Sequence, residues 1–229
     1  MPGPTPEFWQ SKFETNHVPW DRGASNPQLA RWLDEQALKP CRIAVPGCGS
    51  GHEVVALAAR GFEVTGLDYA PAAVARTRFA LAALAALTAQ TVTTVTTVTA
   101  ATAAARGSAS PTLHAEVIEA DVLKWNPPAP FDAAYEQTCL CALHPDHWVN
   151  YARQLHAWLK PGGTLFALFV QGLKPGAANG FVEGPPYHCD IHAMRALFDD
   201  THWVWPKPPY ARVPHPMGFA ELAVVLTRR

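Results

Sequence analysis

Gly47, Gly49 and Gly51 alternate in the run Val45-Pro-Gly-Cys-Gly-Ser-Gly. Asp68 follows about 20 residues on, at the end of Val64-Thr-Gly-Leu-Asp. Together these residues describe a place to hold a nucleoside. Glycines let a backbone approach a ligand closely, because no Cβ stands in the way. A helix that starts just after them presents free N–H groups and the positive end of its dipole. An acid at the end of the next strand accepts hydrogen bonds from ribose hydroxyls. The competing reading is a glycine turn that only closes a strand-helix unit, and the acid argues against it.

The glycine spacing narrows the ligand. A dinucleotide fingerprint counted from Gly47 needs a third glycine at position 52, where this chain has His52. The strict G-x-G-x-G alternation is more typical of sites for S-adenosylmethionine (SAM), which carries a carboxylate and an adenosine but no pyrophosphate. Asp121 and Glu136 also stand at the ends of apolar runs.

These positions need a scaffold, and the hydrophobic periodicity supplies one. Helices are expected over 6–16 and from Asn26, a capping residue followed by Pro27, to about Ala37. Strands are expected over 41–45, 62–67, 113–119, 131–136, 164–170 and 219–226. Helices are expected over 51–60, from Pro71 onward, over 146–159 and over 191–198. Gly61 is placed as a helix C-cap. Strands alternating with helices predict a mostly parallel sheet covered on both faces. In such sheets ligands sit at the carboxyl ends of the strands, where Gly47, Asp68, Asp121 and Glu136 all fall.

The chain has 229 residues, 48% of them hydrophobic, enough to bury a large core in one domain over 1–229. Net charge is −1. No basic stripe suited to nucleic acid is visible, so a small-molecule partner and a monomer are expected. Five cysteines without a regular framework suggest a reducing, cytoplasmic setting. Met1-Pro-Gly-Pro lacks the pattern of a secretory signal. Residues 79–105 carry no charge and are long enough to span a bilayer, but eight threonines and Gln90 interrupt them. No membrane span is expected there. Residues 88–112 read as a low-complexity Ala/Thr insertion that extends the preceding helix or forms a loop.

The motifs resemble the thiopurine S-methyltransferase superfamily, most closely its thiol, thiocyanate and halide methyltransferase branch. Trp9-x3-Phe13-x6-Trp20-Asp-Arg-Gly is similar to that branch's W-x3-W-x6-W-D-x-G element. Val45-Pro-Gly-Cys-Gly-Ser-Gly-His-Glu-Val-Val is similar to its V-P-G-C-G-x-G-x-[DE]-V-V loop, and Pro46 makes the likeness specific. Gly66-Leu-Asp, Glu119-Ala-Asp-Val, Phe131-Asp-x4-Gln-Thr-x2-Cys-Ala-Leu, Leu159-Lys-Pro-Gly-Gly and Gly184-Pro-Pro-Tyr follow in the same order.

The resemblance implies a Rossmann-like class I methyltransferase with a mostly parallel seven-stranded sheet. SAM is the implied methyl donor, with S-adenosylhomocysteine as product. Residues 1–38 form cofactor-covering helices, with Trp9, Phe13 and Trp20 over the SAM. Gly47 contacts the methionine portion, Asp68 the ribose, and Asp121 and Val122 the adenine. Gly49 and Tyr69 complete the expected cofactor contacts. Gln137 sits beside the methionine end, near the acceptor. Phe13 stands where a Trp is common, and Gln137 where relatives carry Arg or Tyr.

Methyl transfer from a sulfonium is an in-line displacement that rests on alignment and water exclusion. An aromatic cover suits the cation, which gives Trp9 and Trp20 a function beyond packing. Glu136 is a candidate acceptor for the SAM amino group. On the acceptor side Gln137, Tyr187, His188 and Asp190 are the catalytic candidates; His188 or Asp190 could serve as base for a neutral nucleophile, against a surface role at a helix start. Cys139-x-Cys141 with His144 and His147 lacks the framing of a zinc site and is read as buried thiols, with no metal. The expected activity is methyl transfer to a small soft nucleophile: a thiol, thiocyanate, halide or thiopurine. Transfer to nitrogen or oxygen of a small metabolite, or SAM binding without turnover, are the alternatives.

Overall fold

The structure is a computed structural model that describes residues 3–99 and 113–229. The helices are α1 (Pro6–Glu14), α2 (Pro27–Asp34), α3 (His52–Ala59), α4 (Pro71–Thr99), α5 (Trp148–Trp158) and α6 (Ile191–Leu197). The strands are β1 (Arg42–Pro46), β2 (Glu63–Asp68), β3 (Ala115–Glu119), β4 (Phe131–Gln137), β5 (Leu159–Gln171), β6 (Trp203–Val204), β7 (Ala211–Pro214) and β8 (Ala220–Arg228). All eight strands join one sheet in the order β3-β2-β1-β4-β5-β8-β6, with β7 pairing the same strand, β8.

The first five strands of that order are parallel and the β8 pairings are antiparallel. This is the mostly parallel Rossmann-like sheet that the resemblance implies, with eight strands in place of seven; the pattern of the sequence placed six of them and missed β6 and β7. Burial is nearly continuous along β1, β2 and residues 163–170 of β5, as a sheet covered on both faces requires. One face packs Trp158, Leu155, Tyr151 and Phe198, and the other packs Leu29, Val54, Leu57 and Phe62.

Local chemistry sets the element ends. The Asn26 side chain accepts from Gln28 N and caps α2, with Pro27 in its first turn. Gly61, at φ +83°, ends α3 as expected. The Lys160-Pro-Gly-Gly turn lies within β5 as an irregularity. Phe131 pairs Leu159 while Ala133 pairs Thr164, so five steps of β5 oppose two of β4.

Helix α4 runs through Thr99, so the Thr/Val repeat continues the Ala-rich helix that far. Residues 100–112 of the 88–112 segment lie outside the described residues. Pro71–Ala89 is long and apolar enough, by length and composition, to cross a membrane, at a mean hydropathy of 1.3. Its start is instead tied to the sheet and to α1. Ala73, Val74 and Thr77 are buried, Arg76 donates to Phe13 O, and Arg78 donates to Val117 O at 2.8 Å.

Candidate functional site

The glycine loop leaves β1 and enters α3 through three left-handed residues: Gly47 at φ +61°, Gly49 at +54° and Gly51 at +81°. Space requires glycine as well as conformation. A Cβ on Gly51 would stand 2.5 Å from Thr77 Cγ2, and one on Gly47 2.9 Å from Cys139 Cβ. A Cβ on Gly49 would sit 3.5 Å from the Phe13 ring, in the space between loop and cover. The loop is therefore pressed against α4 and the end of β4, with its middle open toward α1.

Asp68 is the hinge of the loop. Its carboxylate accepts from Gly49 N at 3.0 Å and from Ala70 N at 2.9 Å. Burial pushes its pKa up, against these N–H donors. Asp121 sits at the next strand end, accepting from Leu123 N at 2.9 Å and pairing Lys124 at 2.9 Å.

The N-terminal segment closes over this edge. Trp9 and Trp20 meet edge to face at 5.4 Å, and Phe13 meets Trp20 at 6.1 Å. The Gln10 side chain accepts from Ala72 N at 2.9 Å and fixes α1 to the start of α4. His52, on α3, reaches Asp21 at 2.8 Å and anchors the loop after the cover.

Between cover and sheet edge lies a cavity of ≈ 460 Å³. That volume lies within the range of small-molecule sites. Nine of the residues singled out from the sequence line it: Trp9, Phe13, Trp20, Gly47, Gly49, Asp68, Tyr69, Asp121 and Val122. Glycine cradle, buried acid and aromatic cover thus converge on one space, as a SAM site requires.

Apart from Cys139 and Cys141, the remaining candidates fall outside the cavity lining. Glu136 is fully buried beneath the cavity wall, where its carboxylate accepts from Leu140 N at 2.6 Å. Burial raises its pKa to about 7. Gln137 turns away from the cavity: its Oε1 accepts from the Tyr135 hydroxyl at 2.8 Å and its Nε2 approaches Glu221 at 3.5 Å. Tyr187 is buried against His144, ring to ring at 5.4 Å. His188 Nδ1 is sealed from solvent without a partner. Asp190 caps α6, accepting from His192 N at 2.9 Å and Ala193 N at 3.1 Å. Cys139 and Cys141 are buried in the cavity wall, and burial pushes both thiols well up. Among the described residues no cluster of three or more His, Cys, Asp or Glu could hold a metal ion.

Sequence reasoning missed a second polar system. Glu221, fully buried on β8, meets Arg22 at 3.3 Å and the Asn26 side chain at 3.1 Å. Burial pushes its pKa up to about 7. It also missed the cavity residues Lys12, His215 and Met217, while Thr138 and Pro185 stood in the quoted motifs without an assigned contact. His215 carried a signal, since Val213-Pro-His-Pro-Met-Gly is a turn just before the last strand.

The family described as "Thiopurine S-methyltransferase (TPMT)" matches residues 4–207 of this chain. "Thiocyanate methyltransferase 1" of Arabidopsis thaliana is 28% identical over 189 residues, covering 82% of this chain and 70% of that protein. "Probable thiol methyltransferase 2" of the same plant is 26% identical over 218 residues, 95% and 75% of the two chains. Among solved structures, the Burkholderia thailandensis 1,6-didemethyltoxoflavin-N1-methyltransferase, crystallised with S-adenosylhomocysteine, matches with a TM-score of 0.66 at 18% identity. The match covers 97% of this chain and 86% of that one.

Proposed function

The chain belongs to the thiopurine S-methyltransferase family, and on that premise we propose that this SAM-dependent methyltransferase acts on a small soft nucleophile: a thiol, thiocyanate, halide or thiopurine. The observation that carries the reading is the single cavity in which glycine loop, Asp68 and aromatic cover meet apolar walls, Leu143, Pro186 and Met217 among them.

Gly47 and Gly49 would take the methionine end of SAM, Asp68 with Tyr69 its ribose, and Asp121 with Val122 its adenine. Bound SAM supplies a methyl group on a sulfonium, open to in-line displacement. The protein's part is to align the nucleophile and keep water out. Trp9, Phe13 and Trp20 would exclude water and face the cation with their rings. Gln137, held by Tyr135 and Glu221, would act behind the wall by keeping the end of β4 in place.

The base candidates favour a nucleophile that needs no base. Asp190 caps α6 through Oδ1 and does not line the cavity, and His188 Nδ1 is sealed off. A thiolate or thiocyanate carries its own lone pair and charge. An alcohol acceptor would need its proton removed. The five thiols are all free, which supports a reducing, cytosolic setting.

The test is calorimetric titration with SAM and S-adenosylhomocysteine, followed by methyl-transfer assays on thiols, thiocyanate, iodide, thiopurines and amines. Binding with turnover on the soft nucleophiles supports the reading. Turnover confined to amines or alcohols moves the acceptor to nitrogen or oxygen. Binding without any product leaves a SAM-binding module.

A further inference from the structure

His215 lies in the turn between β7 and β8 and lines the cavity. The turn is tightly made. His215 N donates to Phe219 O at 2.9 Å, and Gly218 N donates to His215 O at 3.0 Å, with Gly218 at φ +84°. The imidazole stacks flat on Phe219, centroids 4.2 Å apart and planes at 13°. Met217 N donates to Nδ1 at 3.2 Å. That bond settles the tautomer, because a backbone N–H can only donate. Nδ1 is the acceptor, and the neutral ring carries its hydrogen on Nε2.

Nε2 has no partner among the described residues, although the residue is only 6% exposed. It is not sealed off in the way that His188 Nδ1 is. Nε2–H is thus an oriented donor that solvent can still reach, on a largely buried residue lining a ligand-sized cavity, and this fits it to donate to a ligand atom. The sheet order adds a second argument. The strands of the glycine loop and the acids are β1, β2 and β3, on one side of β4. His215 enters from β7 and β8, beyond β5 on the other side. The two sides of the cavity can therefore serve cofactor and acceptor separately.

We propose that His215 is the acceptor-binding residue, its Nε2–H donating a hydrogen bond to the anionic atom of a soft nucleophile such as thiocyanate or a thiolate. The inference rests on the methyltransferase reading above and names a residue for its acceptor side. Burial and the nearby Arg22 charge lower the imidazole pKa to about 4, so the ring stays neutral and donates. Lys12, His17, Asp68, Tyr69 and Asp121 are the other ionisable groups besides the thiols that face this cavity. As the acceptor's lone pair forms the new bond to the methyl carbon, the electron pair of the broken bond goes to the donor sulfur. An anionic acceptor has no proton to shed, so His215 keeps its own. It is a positioning group for the reaction and not a base.

His215→Phe keeps the stacking and removes the donor, while His215→Gln keeps an N–H donor. The expected result is a rise of about tenfold or more in KM for thiocyanate with His215→Phe. S-adenosylhomocysteine affinity should stay within about twofold, and His215→Gln should recover part of the loss. An unchanged KM in His215→Phe would overturn the inference. A second measurement is free of turnover and of mutant folding: thiocyanate is titrated into ¹⁵N-histidine-labelled protein loaded with S-adenosylhomocysteine. The Nε2–H resonance of His215 should shift on saturation, and a static resonance would overturn the proposal. A wild-type protein with no methyl product on any soft nucleophile would instead sink the functional reading, and the resonance would still decide whether His215 binds the anion.

Discussion

Arg22 and Glu221 meet at 3.3 Å although 199 positions separate them. Arg22 lies just past the aromatic cover and Glu221 lies on the last strand, so one ion pair joins the two ends of the chain beside the cavity. The same guanidinium donates to Pro214 O at 2.5 Å, one residue before His215. Cover, last strand and the turn that carries His215 therefore share one anchor.

Replacing Arg22 with Met should leave Glu221 buried without its counter-charge. Removing one partner of a buried pair costs about 3–5 kcal/mol, and the low end is expected because Glu221 can take up a proton. Adding Glu221→Gln should restore most of that loss, since a neutral side chain needs no cation and still bonds Asn26. Urea unfolding of the single and double variants reads the coupling. Strictly additive losses would mean that the pair does not act as one.

Glu136 carries a pH signature. Its pKa is raised by burial to about 7, against 4.5 for an ordinary glutamate. The folded state thus holds a proton that the unfolded chain has released, and stability falls as pH rises from about 4.5 through about 7. His215 works in the opposite sense over about pH 4 to 6.5, because its lowered pKa makes the unfolded chain the better proton acceptor. Glu136→Gln keeps an oxygen for Leu140 N and removes the ionisation. Relative to wild type it should be about 3 kcal/mol more favourable at pH 8 than at pH 4. Chemical denaturation at the two pH values checks this, and a difference that does not change with pH would refute the buried carboxylate.

Gly51→Ala meets two obstacles. The left-handed backbone costs an alanine about 1–2 kcal/mol. The new Cβ also strikes Thr77, with contacts of 2.5 to 2.8 Å. Thr77→Ala removes the Cγ2 and Oγ1 contacts in the double variant and leaves the backbone cost with the 2.8 Å approach to Thr77 Cβ, so partial rescue is expected in thermal unfolding relative to the sum of the single variants. If the second change rescues nothing, the loop does not rest on α4 through this contact.

The fold class was readable because β1, β2 and the glycine loop depend on local pattern and backbone conformation. Gly47, Asp68 and Asp121 were found for the same reason: strand ends in a parallel sheet share one edge. Strands β6 and β7 escaped notice because Trp203-Val is two residues long and Ala211-Arg-Val-Pro is short and ends at a proline, with no alternation to mark either. The acceptor side was harder. Asp190 reads as a base or, more readily, as a polar residue opening a helix, and its bonds to His192 N and Ala193 N bear out the second. Gln137 faces Glu221, 84 positions away, and His215 owes its charge state to burial and to Arg22. No local pattern encodes such distant partners.

Asp68→Ala removes the acceptor for Gly49 N and Ala70 N together with the group proposed to hold the ribose. SAM binding should weaken by about 1.5–3 kcal/mol, the range for hydrogen bonds to a charged group. Asp68→Asn keeps one oxygen and should lose less. Calorimetry on both variants tests this, and wild-type affinity in Asp68→Ala would remove the residue from the site.

Trp20 distinguishes an electrostatic cover from a purely steric one. It packs edge to face with both Trp9 and Phe13, so its replacement opens the middle of the cover. SAM carries a sulfonium charge and S-adenosylhomocysteine carries none there, while the rest of the two molecules is shared apart from the methyl group. Lost shape should weaken both ligands alike, whereas lost cation–π attraction should weaken SAM alone. Trp20→Leu is therefore expected to cost SAM about 1 kcal/mol more than S-adenosylhomocysteine, within the range for a ring facing a desolvated cation. Parallel calorimetric titrations measure the difference directly. Equal losses would mean that the aromatic cover works by excluding water, with the charge balanced elsewhere in the cavity.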